Sequence, residues 1–193
     1  MAELALIVVA ATLVNNLVLV QSLGVSAFFA ASARVEGALG MALVTGLALT
    51  LTAALAHVVD RYVLAPLELP YLKLIAFVAA VTLSTPCAIA AARVCSSWLR
   101  PLRDVPAPLV MTSSALLGVA LLNSAASRSL VASLSYAVGA ALGFGVALVL
   151  FAGLRERLQR TDVPAPFRGA AIAFVTAGIL SLAFLGFAGF ARL

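Results

Sequence analysis

Residues 130–154 read LVASLSYAVGAALGFGVALVLFAGL, a run of 25 residues without one charged side chain. The hydrocarbon core of a bilayer is about 30 Å thick, and a helix of about 20 apolar residues crosses it. The whole chain has the same character, with 64% hydrophobic and 10% charged residues. An average soluble domain has about 45–50% apolar and about 25% charged residues. The sequence therefore predicts an integral membrane protein, and it excludes both a soluble globular fold and a disordered chain.

Further apolar runs flank this stretch, separated by charges and by Pro and Gly residues. Lipid cannot satisfy an exposed backbone, so the runs are predicted as helices, and strands of about ten alternating residues are not visible. The predicted fold is an all-α membrane protein with six transmembrane helices in a single domain, residues 1–193. The first run lacks the features of a cleavable signal peptide and is predicted as a transmembrane helix. The six segments are Leu4–Leu23, Ala38–Val59, Tyr71–Ala92, Val105–Leu122, Leu130–Leu154 and Gly169–Phe190.

The net charge of +5 comes from arginines scattered between the apolar runs, without the basic stripe of a nucleic-acid-binding protein. Loops after segments one, three and five carry eight basic residues: Arg34, Arg93, Arg100, Arg103, Arg155, Arg157, Arg160 and Arg168. The other side carries four: Arg61, Lys73, Arg128 and Arg192. Because basic loops stay in the cytoplasm, this distribution predicts that both termini lie outside it.

Segments one and four differ from the rest because polar residues interrupt them. Segment one contains Asn15 and Asn16 and ends in the stretch QSLGVS at 21–26, whereas segment four opens with DVPAP and contains Thr112, Ser113 and Ser114. Interrupted segments in corresponding positions indicate an inverted repeat with its working site at the repeat interface. The chain is therefore predicted as two inverted three-helix halves, about 1–97 and 98–193, with helices 1 and 4 short or interrupted.

Each polar residue in these segments has two readings. Asn15 and Asn16 either line a cavity or cap a broken helix and bond across helices. Ser26 and the run from Thr112 to Ser114 either belong to a site or bond to their own helix carbonyls. Small residues such as Gly24 and Gly118 allow close helix approach, and the spacing of Gly139 and Gly143 is typical of a helix contact.

The remaining candidates for chemistry favour no catalytic role. His57 precedes Asp60 at the end of segment two, where an interfacial position is favoured over a proton relay. Cys87 and Cys95 lie two helical turns apart, too far for a disulfide, and are predicted as buried small residues. No carboxylate stands in the middle of a span and no nucleophile–base pair is present, so this chain alone is not predicted to be an enzyme.

Several motifs resemble one family along the whole chain. They are VNNLVLV at 14–20, Leu23-Gly24, Glu36, Gly40-Met41, LLGVALLN at 116–123, RERL at 155–158, DVPAPFRG at 162–169 and SLAF at 181–184. With these motifs the chain is identified as a member of the RnfA/RsxA family, which is related to NqrE.

The resemblance implies a six-helix subunit of an ion-translocating electron-transfer complex in a bacterial inner membrane. Such a complex couples ferredoxin and NAD redox chemistry to movement of Na⁺ or H⁺. In the family this subunit pairs with a homologous, oppositely oriented partner, RnfE or NqrD. Each of the two contributes two cysteines to a shared [2Fe–2S] cluster, one cysteine from each interrupted helix.

The two cluster positions of the family fall on Ser26 and Ser114, and both are serine here. Iron–sulfur clusters are held by soft thiolates, whereas a serine hydroxyl is hard and resists deprotonation, so two serines should greatly weaken a cluster. The sequence leaves open a cluster-less assembly paralogue, deliberate ligand replacement, and a complex that relays electrons otherwise. From another class, a stand-alone inverted-repeat secondary transporter is the alternative, against which the absence of a mid-span carboxylate argues.

Overall fold

The computed structural model describes residues 2–95 and 107–187. The described residues form helices and turns, and no strand occurs among them. The α-helices are α1 (Ala2–Val9), α2 (Val25–Ala31), α3 (Val35–Val59), α4 (Lys73–Cys95), α5 (Ala107–Met111), α6 (Ser114–Ala125), α7 (Leu130–Gln159) and α8 (Ala170–Leu185). Wider π-helical turns extend α1 over Ala10–Val14 and α3 over Asp60–Leu64, and short 3₁₀ turns occupy Pro70–Leu72 and Ala165–Phe167.

Some sequence-based predictions fall outside the described residues. They are the start of segment four at Val105, the end of segment six at Phe190, and the boundary between the two halves at 97 and 98. The side chain of Cys95 is also outside the description. Cys87, predicted to be buried, has an exposed side chain on α4 instead. None of the described helices covers the Cys87 side chain.

Four helical stretches are long and apolar enough to cross a membrane, namely Val35–Leu64, Lys73–Ala92, Ala107–Ala125 and Leu130–Gln159. Two shorter apolar helices, Glu3–Val14 and Ala170–Leu185, overlap the first and last predicted segments and are not among the four stretches of spanning length. The helix of segment five continues five residues past its predicted end at Leu154, and there Arg155 bonds to Phe29 on α2 and Glu156 bonds to Val35 at the start of α3.

The antiparallel helices α3 and α7 pack most extensively against each other at the centre of the fold. Their inner faces combine small side chains such as Ala48 and Ala140 with large ones such as Leu49 and Phe144, all essentially inaccessible to solvent. Without a hydrophobic driving force between helices in lipid, small residues that permit close backbone approach favour such contacts.

The outer faces of the same two helices carry large apolar side chains at intervals of four residues. A soluble protein rarely exposes a continuous apolar surface of this kind. Large apolar side chains along these outer faces are what helices surrounded by lipid present. The exposed residues are Leu39, Leu43, Leu47, Leu51 and Leu55 on α3, and Val138, Leu142, Val146, Leu150 and Leu154 on α7.

Candidate functional site: two helix breaks in contact

The first helix break extends from Asn15 to Gly24. The π turn ends where the backbone N–H of Asn15 donates to the carbonyl of Ala10, at 2.7 Å. The next helix, α2, starts only after Gly24, whose φ of 77° lies in the left-handed region that favours glycine. Segment one is therefore two helical pieces joined by an irregular backbone, and that backbone needs hydrogen-bond partners because lipid supplies none.

The amide side chain of Asn16 supplies these partners and is fully buried. Its Oδ1 accepts hydrogen bonds from the backbone N–H groups of Val18 at 3.1 Å and Leu19 at 3.2 Å. Its Nδ2 donates to the carbonyl of Thr12 at 3.1 Å and to that of Gly143 on α7 at 2.9 Å. Asn16 thus both caps the broken helix and bonds across helices, whereas its neighbour Asn15 is exposed.

Two glycines of α7 make room for this arrangement. A Cβ atom at Gly139 would lie 2.7 Å from the carbonyl oxygen of Val8, and one at Gly143 would lie 2.8 Å from that of Thr12. The hydroxyl of Thr12 also donates to the carbonyl of Gly139, at 3.0 Å. The contact predicted from the spacing of these glycines is present, and its partner is the first helix.

The second break is shorter and lies between α5 and α6, at Thr112 and Ser113. The buried Ser113 is the N-cap of α6, where its hydroxyl accepts a hydrogen bond from the backbone N–H of Ala115 at 3.4 Å. Thr112 is exposed, and its hydroxyl donates to the carbonyl of Pro108 at 2.8 Å. Ser113 thus satisfies one of the N–H groups that the start of a helix leaves without an intrahelical partner.

The two breaks touch each other. The backbone N–H of Gly24 donates to the hydroxyl of Ser114 at 2.9 Å, which joins the start of α2 to the start of α6. A Cβ atom at Gly24 would lie 2.9 Å from the Cβ of Ala115, and one at Gly118 would lie 2.5 Å from a methyl group of Leu23. The structure therefore brings Gly24, Gly118 and Ser114 into one contact between the predicted halves.

The comparisons with known proteins agree along the full length. The family described as Rnf-Nqr subunit, membrane protein, matches residues 4–191. The chain belongs to the Rnf-Nqr family. It is 49% identical over 193 residues to a protein of Alkalilimnicola ehrlichii, covering 100% of both chains. It is 47% identical over 193 residues to one of Pseudomonas aeruginosa, again with 100% coverage of both. Each of these relatives is named as a subunit of an ion-translocating oxidoreductase complex.

The positions that the resemblance assigned to an iron–sulfur cluster lie at the starts of the two half-helices. Ser26 is the second residue of α2 and Ser114 is the first residue of α6, and both residues are exposed. In this Rnf-Nqr chain the Ser114 hydroxyl already accepts the Gly24 hydrogen bond. Neither position offers a thiolate, and no group of three or more His, Cys, Asp or Glu side chains comes together among the described residues. The residues present therefore do not fit a cluster that requires sulfur ligands from this chain.

One anchor of this site was missed by the sequence analysis. Arg155, near the end of α7, donates from Nη1 to the carbonyl of Phe29 at 3.0 Å and to the hydroxyl of Ser32 at 2.6 Å. Next to it, Glu156 Oε1 accepts from the backbone N–H of Val35 at 3.0 Å. Together they hold the end of α2 and the start of α3. The only sequence signal was the RERL motif, which was assigned to a loop.

Proposed function

We propose that this chain is the RnfA component of an Rnf-type complex in a bacterial inner membrane. The complex would couple electron transfer between ferredoxin and NAD to translocation of Na⁺ or H⁺. Full-length similarity to relatives named as subunits of an ion-translocating oxidoreductase complex supports the proposal. The observation that carries it is the hydrogen bond from the Gly24 N–H to the Ser114 hydroxyl, because it unites both interrupted helices in one place.

The proposed architecture is a pair of inverted three-helix halves, residues 1–97 and 98–193. In support, α2 and α6 start at the same contact and run to opposite ends of the bundle. The end of α2 is held by Arg155 near the end of α7. Close to the end of α6, Asn123 Nδ2 donates to the carbonyl of Ser133 near the start of α7, at 3.2 Å. Half-helices related in this way are typical of inverted repeats in membrane proteins.

The proposed orientation places both termini in the periplasm. The basic side chains near the Arg155 end of α7 outnumber those near its start, where Arg61, Lys73 and Arg128 surround one cavity. The positive-inside rule assigns the more basic end to the cytoplasm.

The proposed partner is a homologous subunit of opposite topology, RnfE-like, packed against the two breaks. Ser26 and Ser114 are exposed in the isolated chain although both lie beside the buried contact. This places a polar surface at the level of the breaks, which a partner helix would cover. The remaining outer surface of the chain would contact further subunits of the complex and membrane lipid.

For the cofactor, we propose that this chain keeps the position of the shared [2Fe–2S] cluster without supplying its two thiolates. A second candidate function follows from the serines at both cluster positions. In it the chain is an assembly subunit that holds the complex together and relays no electrons. The serine pair and the hydrogen bond that engages Ser114 favour it. Because the chain supplies no complete cofactor site in either case, catalysis by this chain alone is not proposed.

The first test is to purify the full-length chain from native membranes through a terminal tag in mild detergent. We expect an equimolar homologous six-helix partner and other complex subunits, identified by mass spectrometry. A chain that purifies alone as a homo-oligomer and transports a solute in vesicles contradicts the proposal and favours the secondary transporter.

The second test separates the two candidate roles of the complex-bound chain. The double variant Ser26→Cys with Ser114→Cys introduces both thiols, and a Thr82→Cys with Ser135→Cys variant, away from the breaks, is the control. If the surrounding positions are retained, only the first gains a two-iron electron paramagnetic resonance signal and about two iron atoms per complex. An iron-free complex with its partner still bound rules out a preserved cluster position.

A further inference from the structure

A polar cavity of about 200 Å³ lies at the opposite end of the bundle from Arg155. It is partly open and lies between the ends of α3 and α6 and the starts of α4 and α7. Among the residues lining it are His57, Asp60, Lys73, Arg128 and Ser133. The share of volume of a water molecule is about 30 Å³, so the cavity is large enough for a polyatomic ligand.

Most polar groups around this Asp60 cavity have partners. Lys73 Nζ lies 3.1 Å from Asp60 Oδ1, and the hydroxyl of Ser124 donates to Asp60 Oδ2 at 2.6 Å. Arg128 Nη1 donates to Asn123 Oδ1 at 3.0 Å. The cavity is therefore a built and largely ordered polar site within the membrane protein.

The hydroxyl of Ser133 is a buried group of this lining without a partner among the described residues. The residue is 1% exposed. A serine in the first turns of a helix commonly bonds back to a carbonyl of its own helix, but Ser133 does not. Leaving a buried hydroxyl unpaired is unfavourable, so a ligand that bonds to it gains a hydrogen bond without further desolvation of that group.

The charged side chains around the cavity determine whether it favours an anionic or a cationic ligand. Three cations, Arg61, Lys73 and Arg128, face one carboxylate, Asp60, so two positive charges remain uncompensated. Two helices end and two begin at the cavity, so their dipoles oppose one another. The charged side chains therefore determine the electrostatic potential in the cavity. Arginine and lysine side chains donate strong, charge-assisted hydrogen bonds to phosphate oxygens.

We propose that the Asp60 cavity binds a phosphate group, with Arg61, Lys73 and Arg128 supplying positive charge and Ser133 donating its free hydroxyl. The phosphate can come from a phospholipid headgroup or from free inorganic phosphate. The cavity lies where the spans Val35–Leu64 and Lys73–Ala92 meet, at one end of both, which is the depth of the headgroups. The orientation proposed above puts this end on the periplasmic face, so the lipid would belong to the outer leaflet of the inner membrane; basic pockets between transmembrane helices on the cytoplasmic side bind anionic headgroups by the same charge complementarity.

The proposal is tested on the purified, delipidated full-length chain or its native complex. Inorganic phosphate, mixed micelles of phosphatidylglycerol, and micelles of a phosphate-free glycolipid are titrated separately at constant ionic strength. Size-exclusion chromatography of heated samples gives the midpoint temperature of thermal aggregation. A rise of this midpoint reports binding. Saturable stabilisation by phosphatidylglycerol alone indicates the lipid, and stabilisation by inorganic phosphate indicates the free ion. No saturable effect of either phosphate source, or an equal effect of the glycolipid, overturns the proposal.

Two variants assign the effect to the cavity. Ser133→Ala removes one hydrogen bond to a charged group and is expected to weaken phosphate binding about tenfold. Its ligand-free midpoint stays equal or rises, because the unpaired hydroxyl is gone. Ser135→Ala on the same helix is the control. Arg61→Gln, with the exposed Arg160→Gln as its control, is expected to weaken binding about threefold to tenfold. Wild-type affinity in both Ser133→Ala and Arg61→Gln contradicts the proposal.

Discussion

The first helix break spans ten residues and is held by the buried amide of Asn16, whereas the second occupies two residues and is held by the hydroxyl of Ser113. The partners differ as much as the lengths. Asn16 bonds to a carbonyl on α7 and to three backbone groups of its own segment, while Ser113 bonds only within its own turn. The first break is therefore part of the tertiary packing, whereas the second is a local helix cap that lies against it.

The largest expected effect follows from Asn16→Ala. It leaves the buried N–H groups of Val18 and Leu19 without their acceptor, and buried unsatisfied groups cost about 1–3 kcal/mol each. We expect a loss of more than about 3 kcal/mol in the free energy of unfolding, or failure to accumulate in membranes. Asn15→Ala, at the adjacent exposed position, should stay within about 0.5 kcal/mol. Equal thermal midpoints for the two variants would show that the amide does not hold the break.

The next effect concerns the glycines of α7. In Gly143→Ala the new methyl group meets the Thr12 carbonyl and the Asn16 amide at about 3 Å, and overpacking of this kind costs about 1–3 kcal/mol. Gly153→Ala is the control on the same helix, since nothing lies within 4 Å of its Cβ position. That variant should be neutral or stabilising by up to about 1 kcal/mol because alanine favours the helix. Thermal unfolding in one detergent measures both, and destabilisation by Gly153→Ala as large as by Gly143→Ala would be inconsistent with close packing.

A third experiment measures the coupling between the breaks. Gly24→Ala should destabilise by about 2 kcal/mol, because its φ is positive and its Cβ falls 2.9 Å from the Cβ of Ala115. Ala115→Gly alone should cost about 1 kcal/mol through helix propensity. If the breaks touch as described, the double variant is less destabilised than the sum of the two. Strict additivity would mean that the residues do not meet in the membrane.

The smallest effect is expected at the second break. Ser113→Ala removes a single N-cap hydrogen bond of 3.4 Å and should cost about 0.5–1 kcal/mol. Ser113→Asp, which retains a capping acceptor, serves as the rescue variant. Thermal unfolding followed by circular dichroism compares the stability of the two Ser113 variants. A loss of stability in Ser113→Ala as large as that in Asn16→Ala would show that the two breaks do not differ.

The sequence predicted which segments are interrupted, because Asn15, Asn16 and the serine run are polar where lipid demands apolar residues. It left open which asparagine is buried, since the irregular backbone after the π turn decides which of the two adjacent side chains meets α7. The spacing of Gly139 and Gly143 predicted a helix contact without its partner. The Asp60 cavity was beyond reach, because four helix ends distant in sequence have to converge before Ser133 and Lys73 share it.

The bonds from Thr12 to Gly139 and from Asn16 to Gly143 each join residues 127 positions apart. Synthesis at about 5–20 residues per second therefore separates the two partners by roughly 6–25 s. During that interval the Asn16 amide enters the bilayer region before its α7 acceptor exists. Until α7 is made, the Asn16 Nδ2 group has the Thr12 carbonyl of its own segment and lacks its interhelical acceptor. The order of synthesis thus makes α7 the element that completes the hydrogen bonding of the first break.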